Sequence, residues 1–463
     1  SRRDGEGRPR KKGGGGKPSR TAKSRPNRDK RYNKIINRQV TLMANLGDLV
    51  QLLDLVQVYL PDMNGLNLTT AFHRVAKLAT SEGDFDRKVH LLKHHSVFER
   101  LLHDVVMHIK NHSLYVSAYP AIEEQTPPSD ARADWWEMPV QCMSIVCWSC
   151  ATLRIRDRML FTIIATIVSP RIDHLKSFEL SNLLWAYAKV ALVPAELFKN
   201  AGERMIRRRE GEFEAQCLST IAWSFATAER RHVSMFNTLA EEIKANASSM
   251  KTQEISNTLW AFAKCRVVDV DLFDTLGNTA AREPMIWMFK PQELSNTVWA
   301  FATVGVHHPV LFGRIEAAVI RKRYDMLPQN IANILWSYAK LQVIPRSDMF
   351  PALLEVASTK LSQYKRQELS SVIWAAAQVC PNNSEFFGVA TRVCCNRLKE
   401  FSPNAAANLT RDLLTAATTA PQALREILSE GTLRLSQLEP GTLCMLLRGA
   451  LGATSNPAIA GHL

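Results

Sequence analysis

The chain has 463 residues, 46% of them hydrophobic and 22% charged, with only 20 Gly and 21 Pro, which fits a mostly folded, soluble protein of several compact domains or one long repeat array. Its longest strongly apolar run, "LFTIIATIV" from Leu160, is far too short to cross a bilayer, so no membrane span is expected. Residues 1–38 hold 15 Lys/Arg against 3 Asp/Glu, a net of +12 within a chain total of +14, so the rest of the chain is close to neutral and the basicity belongs to the tail.

That tail, residues 1–38, is rich in Gly, Pro and Ser and poor in large apolar residues, so burial cannot offset its ordering entropy and disorder is expected. Arg2, Arg3, Arg8, Arg10, Lys11 and Lys12 are its candidate phosphate contacts, because a cation placed on a phosphate releases condensed counterions. A targeting remnant or a solubilising tail explains the same composition, and both readings stay open. "GGGGKPS" has the look of a phosphate loop, but Pro18 follows the lysine and no strand precedes it, which excludes the match. The chain opens on Ser, as a processed or trimmed product with its targeting segment removed would.

Residues 39–67 read as a leading helix and 68–138 as one or more degenerate first repeats, in which "LTTAFHRVAKL" carries His73 and "PAIEEQTPPSDARADWWEM" forms an inserted loop. The histidines from His90 to His112 read as a polar helical segment rather than a metal site. Nine cysteines make no paired framework, which suggests a reducing compartment. "CMSIVCWSC" has the C-x4-C-x2-C spacing of some iron–sulfur proteins, but it sits in a repeat helix where Cys is a small core residue, with no fourth ligand in view. No metal or cofactor is expected.

From 139 to 400 one phrase recurs. "ELSNLLWAYAK" (179–189) returns as "CLSTIAWSFAT", "EISNTLWAFAK", "ELSNTVWAFAT", "NIANILWSYAK" and "ELSSVIWAAAQ", with an earlier relative around Trp148. The tryptophans at 148, 185, 223, 260, 299, 336 and 374 are 37, 38, 37, 39, 37 and 38 residues apart, a period that marks one supersecondary unit per repeat. Thirteen residues after Trp stands Phe198, Phe236, Phe273, Phe312 or Phe387, with Phe350 at fourteen, inside a second amphipathic segment. Each repeat is therefore helix A, a short turn and helix B. Pro291, Pro328, Pro403 and Pro440 fall eight residues before the Trp position, where a first-turn proline is tolerated. Residues 401–463 continue the period without Trp, as degenerate capping repeats. The fold class is all-α, a solenoid of about eight to ten helical hairpins.

The phrase "LSNxLWAxAK" with this period resembles the octotricopeptide repeat of organellar RNA-binding proteins, and is similar to the leucine-rich, heptatricopeptide-like repeat region of the FAST-kinase family. The resemblance covers 68 to about 450. It implies an organellar RNA-binding protein, in the mitochondrial matrix ahead of the plastid stroma, that supports RNA stability or processing, translation or ribosome assembly. Many relatives end in a small nuclease-like RAP domain, whereas here the repeat pattern continues, so no cleavage activity is expected from one.

At 100° per residue, Leu180, Leu183, Leu184 and Tyr187 share the arc facing helix B, Ala186 and Ala188 flank it, and Ser181, Asn182, Trp185 and Lys189 share the open face, the concave one if A helices are the inner layer. The same places hold Asn257, Asn296 and Asn333, with Thr220 and Ser371; Trp223, Trp260, Trp299 and Trp336; and Lys264 and Lys340. An amide for base edges, an indole for stacking and a cation for phosphate are the groups that bind single-stranded RNA, here mRNA or rRNA. Recurrent Trp and Asn are also packing and ladder elements of solenoids, so a structural role stays open beside the binding role. The rival class is a non-catalytic scaffold that holds ribosomal or other organellar proteins, which the near-neutral body favours. No catalytic motif is present, and no enzyme activity is expected.

Overall fold

The structure, a computed structural model, describes residues 26–81, 84–118 and 139–414. The six tail cations, the "GGGGKPS" run, the inserted loop at 120–138 and the capping repeats beyond 414 lie outside the described residues. The described residues form 21 α-helices and short 3-10 turns, with no strand among them. They divide into two units, one ending at His108 and one beginning at Ile109.

The first unit contains α1 (Pro26–Asn45), α2 (Leu49–Tyr59), α3 (Gly65–Thr80), α4 (Phe85–Lys93) and most of α5 (Ser96–Ala118). Here the structure corrects two boundaries drawn from the sequence. The tail expected to be disordered to residue 38 becomes helical at Pro26, and the leading segment 39–67 is not one helix. Dense Lys and Arg hide an apolar stripe in α1, where Ile36, Val40 and Ala44 follow at i, i+4 and i+8 and are all buried. Gly47 (φ 84°) then turns the chain, and Asp48 caps α2 by accepting from the N–H groups of Val50 and Gln51. Asn67 of α3 donates to the Asn33 carbonyl at 2.9 Å and to Asn37 at 2.8 Å, joining α3 to α1.

The second unit is the regular stack. Its A helices are α6 (Val140–Thr152), α8 (Ser177–Lys189), α10 (Ala215–Thr227), α12 (Thr252–Lys264), α15 (Pro291–Val304), α17 (Pro328–Lys340), α19 (Arg366–Val379) and α21 (Pro403–Leu414). The B helices are α7 (Arg158–Val168), α9 (Ala195–Arg207), α11 (Val233–Asn246), α13 (Val270–Ala281), α16 (Pro309–Lys322), α18 (Met349–Lys360) and α20 (Ser384–Arg397); α14 (Met285–Met288) is a one-turn addition before α15. Each A helix lies against the next A helix, and each B helix against the next B helix, so the unit has two layers. Buried Ala186 and Ala188, and their counterparts Ala261, Ala263, Ala300 and Ala302, allow the A helices their close approach.

Three devices repeat. The aromatic residue two after Trp meets the Phe of the preceding B helix edge to face: Tyr187 on Phe161 at 5.1 Å, Phe225 on Phe198 at 5.2 Å, Phe262 on Phe236 at 4.9 Å and Phe301 on Phe273 at 5.1 Å. Where that residue is Tyr, its hydroxyl donates to the same Phe carbonyl, Tyr187 to Phe161 at 2.6 Å and Tyr338 to Phe312 at 2.8 Å. Secondly, the residue six after Trp is left-handed in six consecutive repeats: Arg154, Ala191, Glu229, Arg266, Gly305 and Gln342, with φ from 53° to 75°. Thirdly, Glu179, Glu254, Glu293 and Glu368 each accept from the N–H at the start of their own helix, at 2.7 to 3.0 Å.

Candidate nucleic-acid interface

The three sequence-selected positions fall where a helical wheel places them. Asn182, Asn257, Asn296 and Asn333 are half-buried, as are Thr220 and Ser371; Lys189, Lys264 and Lys340 are exposed one turn beyond Trp. Trp185, Trp223, Trp260, Trp299 and Trp336 are all half-buried, so each indole packs on its neighbours while part of it meets solvent. Trp223 and Trp260 lie side by side with ring centroids 6.4 Å apart and planes inclined by 32°. Lys264 also reaches back to Glu229 of the preceding repeat at 3.8 Å, an exposed pair of little energetic weight.

One wheel assignment is corrected. Ser181, expected on the open face, is buried, as are Ser219, Ser256 and Ser295 at the same place. Ser181, Ser219 and Ser295 donate to the carbonyl three residues earlier, and Ser144 donates to the Glu179 carbonyl of the next A helix at 2.6 Å. The position adjoins the neighbouring A helix, where a small side chain fits, Ser in most repeats and the buried Ala332 in α17.

The sequence reading missed two further rows. Seven residues before Trp stand Gln216, Gln253, Gln292, Gln329 and Gln367, all exposed, with Gln141 half-buried and Phe178 replacing Gln at 51% exposure. Positions −7, −3, 0 and +4 span only about 60° of a helix at 100° per residue, so Gln, Asn, Trp and Lys form one stripe from the start to the end of an A helix. The recurrence of Gln was visible in the sequence once the phrase was extended one residue upstream. The second row is Lys176, Lys251, Lys290 and Lys365, exposed at the residue that begins α8, α12, α15 and α19. These ammonium groups stand beside the glutamates that close the first turn, so each helix start carries both signs of charge.

On this face a cavity of about 500 Å³ opens between α17, α19 and α21, walled by Trp336, Ser371, Trp374, Asn408, Arg411 and Asp412. Arg411 takes the place of Trp there, and burial holds the Asp412 carboxyl above its ordinary range. The larger cavity, about 640 Å³, lies between α7 and α9 in the other layer and has no part in the stripe. Cys142, Cys147 and Cys150 are core residues of α6; burial pushes the Cys147 thiol well up and Cys150 to about 12. Among the described residues no group of three His, Cys, Asp or Glu side chains is placed to hold a metal ion, and no helix is long and apolar enough to cross a membrane.

A two-layer stack of helical hairpins that repeats one polar, aromatic and cationic stripe along its A layer defines the class: an all-α helical-repeat protein. The chain belongs to the family of the RNA-editing substrate-binding complex 6 protein, whose family model matches residues 132–426. No curated protein sequence matches the chain. Among solved structures it is similar to a chain of a homology model of the full-length AP-3 complex in an intermediate open conformation, at 11% identity and a TM-score of 0.28, over 88% of this chain and 69% of that one. At that score the likeness carries nothing about function.

Proposed function

We propose that this protein holds single-stranded RNA along the A-layer stripe as a non-catalytic member of an organellar RNA-processing assembly. The family's name, RNA-editing substrate-binding complex 6, supports an RNA substrate and a multi-protein setting. The observation that carries the reading is an indole on one face of seven consecutive A helices, joined by an amide in α8, α12, α15 and α17 and by an ammonium in α8, α12 and α17, a form suited to a polymer with a repeating backbone and a stackable base at every step. Because Trp is constant through the seven clear repeats, the stacking contacts are generic, and base choice falls to the positions that differ. Kinship with the octotricopeptide repeat, the mitochondrial matrix as compartment, and mRNA or rRNA as target are part of this proposal and rest on the repeat phrase. The rival reading, a scaffold for ribosomal or other organellar proteins, draws on the near-neutral charge outside the tail.

The deciding experiment replaces Trp260 and Trp299 by Leu and measures both oligouridylate affinity and thermal unfolding. Two stacking platforms worth about 1 to 3 kcal/mol each are removed, so affinity falls tenfold or more. Intact affinity in a folded but strongly destabilised double variant would leave the tryptophans as packing elements and favour the scaffold. Removing residues 1–25, which spares α1, tests the tail: the log–log salt slope shrinks by about 0.7 for every phosphate the tail had neutralised, and an unchanged slope means that the tail does not touch RNA.

A further inference from the structure

The step from Trp260 to Trp299 is 39 residues, the longest in the stack, and it contains α14. Ile286 and Phe289 of this segment are buried, which fixes its one turn and turns Met288 outward at 64% exposure. Two contacts tie the segment to α16: Arg314 pairs with Glu283 at 2.7 Å, and Lys322 donates to the Trp287 carbonyl at 3.0 Å. The Arg321 guanidinium stands 5.8 Å from the centre of the Trp287 ring. Just beyond α16, Arg323 lies 4.3 Å from the centre of the Tyr324 ring, donates to its hydroxyl at 3.0 Å and to the Ile320 carbonyl at 2.7 Å, and so holds an aromatic ring that is 63% exposed. Leu327, at the start of α17, is 67% exposed.

We infer that this corner, with Met288, Tyr324 and Leu327 as apolar anchors beside Arg321, Arg323 and Lys290, docks a protein segment that combines apolar side chains with acidic ones. Three large, mostly exposed apolar side chains on two segments that the Lys322 bond to the Trp287 carbonyl joins are costly in water and have the composition of an interface centre, in which aromatic residues, Met and Arg are enriched. The rings are held in place by their guanidinium neighbours, so little rotamer freedom remains to be lost on binding. Charge selects the partner: Lys290, Arg321, Lys322 and Arg323 stand on the same two segments as the anchors, against Asp325, the buried Glu293 beside Lys290 and a Glu283 already paired with Arg314. A nucleic acid is the poorer fit, since Met288 and Leu327 offer nothing to a phosphate and the device occurs in one repeat, whereas the Trp that suits a stacked polymer recurs in seven. The inference is independent of RNA binding by the stripe.

The test selects phage-displayed random peptides on the full chain and counter-selects on the Met288→Ser, Leu327→Ser variant, whose exposed substitutions leave the core intact. Peptides retained by the selection are expected to be net acidic with at least two apolar anchors. They should bind Arg321→Glu about tenfold more weakly, while the oligouridylate affinity of both variants stays unchanged and neither melts below the parent chain, serine being a better helix cap than Leu327. The inference is overturned if no peptide distinguishes the chain from the double variant, if the distinguishing peptides are basic or uncharged, or if the variants lose oligouridylate affinity, which would assign the corner to RNA.

Discussion

The two layers of the stack follow different rules. The A helices α8 to α17 are near-copies: small residues face the neighbouring A helix, an aromatic reaches back to the previous B helix, and Trp stands on the outward face, so three sides of the helix are constrained at once. The B helices share little more than their Phe and settle their contacts pair by pair. Arg208, after α9, is buried with Glu242 of α11 and also donates to the Thr238 carbonyl, an arrangement made at one step of the stack among the described residues. His232 and His308 begin α11 and α16 by accepting from the N–H of Met235 and Leu311, and each ring fills the space beside a glycine of the preceding B helix. Asp269 makes the same cap for α13, and the matching place in α11 is Ala240. Repetition marks surfaces constrained on every side, and local compensation marks those constrained on one.

The largest effect should come from cutting the bond between the layers. Phe262 is fully buried and meets Phe236 edge to face at 4.9 Å, so Phe262→Ala should cost about 3 to 5 kcal/mol in denaturant unfolding. A loss below about 1 kcal/mol would mean that the A layer stands without this contact and that the layers are not interlocked by it.

The Trp position is itself broken in the first unit, where His73 of α3 stands. Burial, followed by the nearby Arg74 and Lys77, lowers its pKa from 6.5 to about 4, so the imidazole is neutral in the fold. The unfolded chain then binds more protons in that window, so the contribution to stability is full above about pH 6.5 and fades as pH falls toward 4, by at most about 3 kcal/mol. His73→Gln should flatten this slope, measured by unfolding the chain across that range; an unaltered slope would move the titration elsewhere.

The A layer was legible because its constraints repeat. Seven tryptophans at a steady spacing set the period, and the wheel put Asn182, Trp185 and Lys189 on the open face. The misplaced Ser181 marks the limit of the wheel: an angle does not tell solvent from a close neighbouring helix, and a hydroxyl suits both. α1 was illegible for another reason, since composition averages over faces and the buried stripe of Ile36 and Val40 was outvoted by the lysines and arginines around it. The corner at α14 escaped because it is written once, and a single Met or Tyr gives no periodic signal.

Gly277 offers a sharper test of pairwise compensation in the B layer. A β-carbon there would meet the His308 ring at 2.6 Å, so Gly277→Ala should destabilise by about 1 to 3 kcal/mol despite alanine's better helix propensity. Adding His308→Asp recreates the pairing of Asp269 with Ala240 one step earlier, and should recover most of the loss. A double variant no better than the sum of the two single changes would mean that cap and glycine are independent.

The smallest effect concerns the turn that both layers share. Gly305 and Gln342 occupy the same left-handed place, φ 75° and 56°, and the next residue closes the turn by donating to the carbonyl two after Trp, Val306 to Phe301 at 3.0 Å and Val343 to Tyr338 at 2.9 Å. A residue with a β-carbon incurs about 1 kcal/mol of steric strain in this conformation, whereas for glycine the cost lies in the entropy of the unfolded chain. Gly305→Ala should therefore lower stability by about 1 kcal/mol, and Gln342→Gly should raise it by about half that or less. Both positions are exposed and off the stripe, so RNA affinity should not move. If Gln342→Gly destabilises instead, the glutamine side chain contributes to the turn beyond its backbone, and the six left-handed residues are not the interchangeable hinge that the A layer's regularity requires.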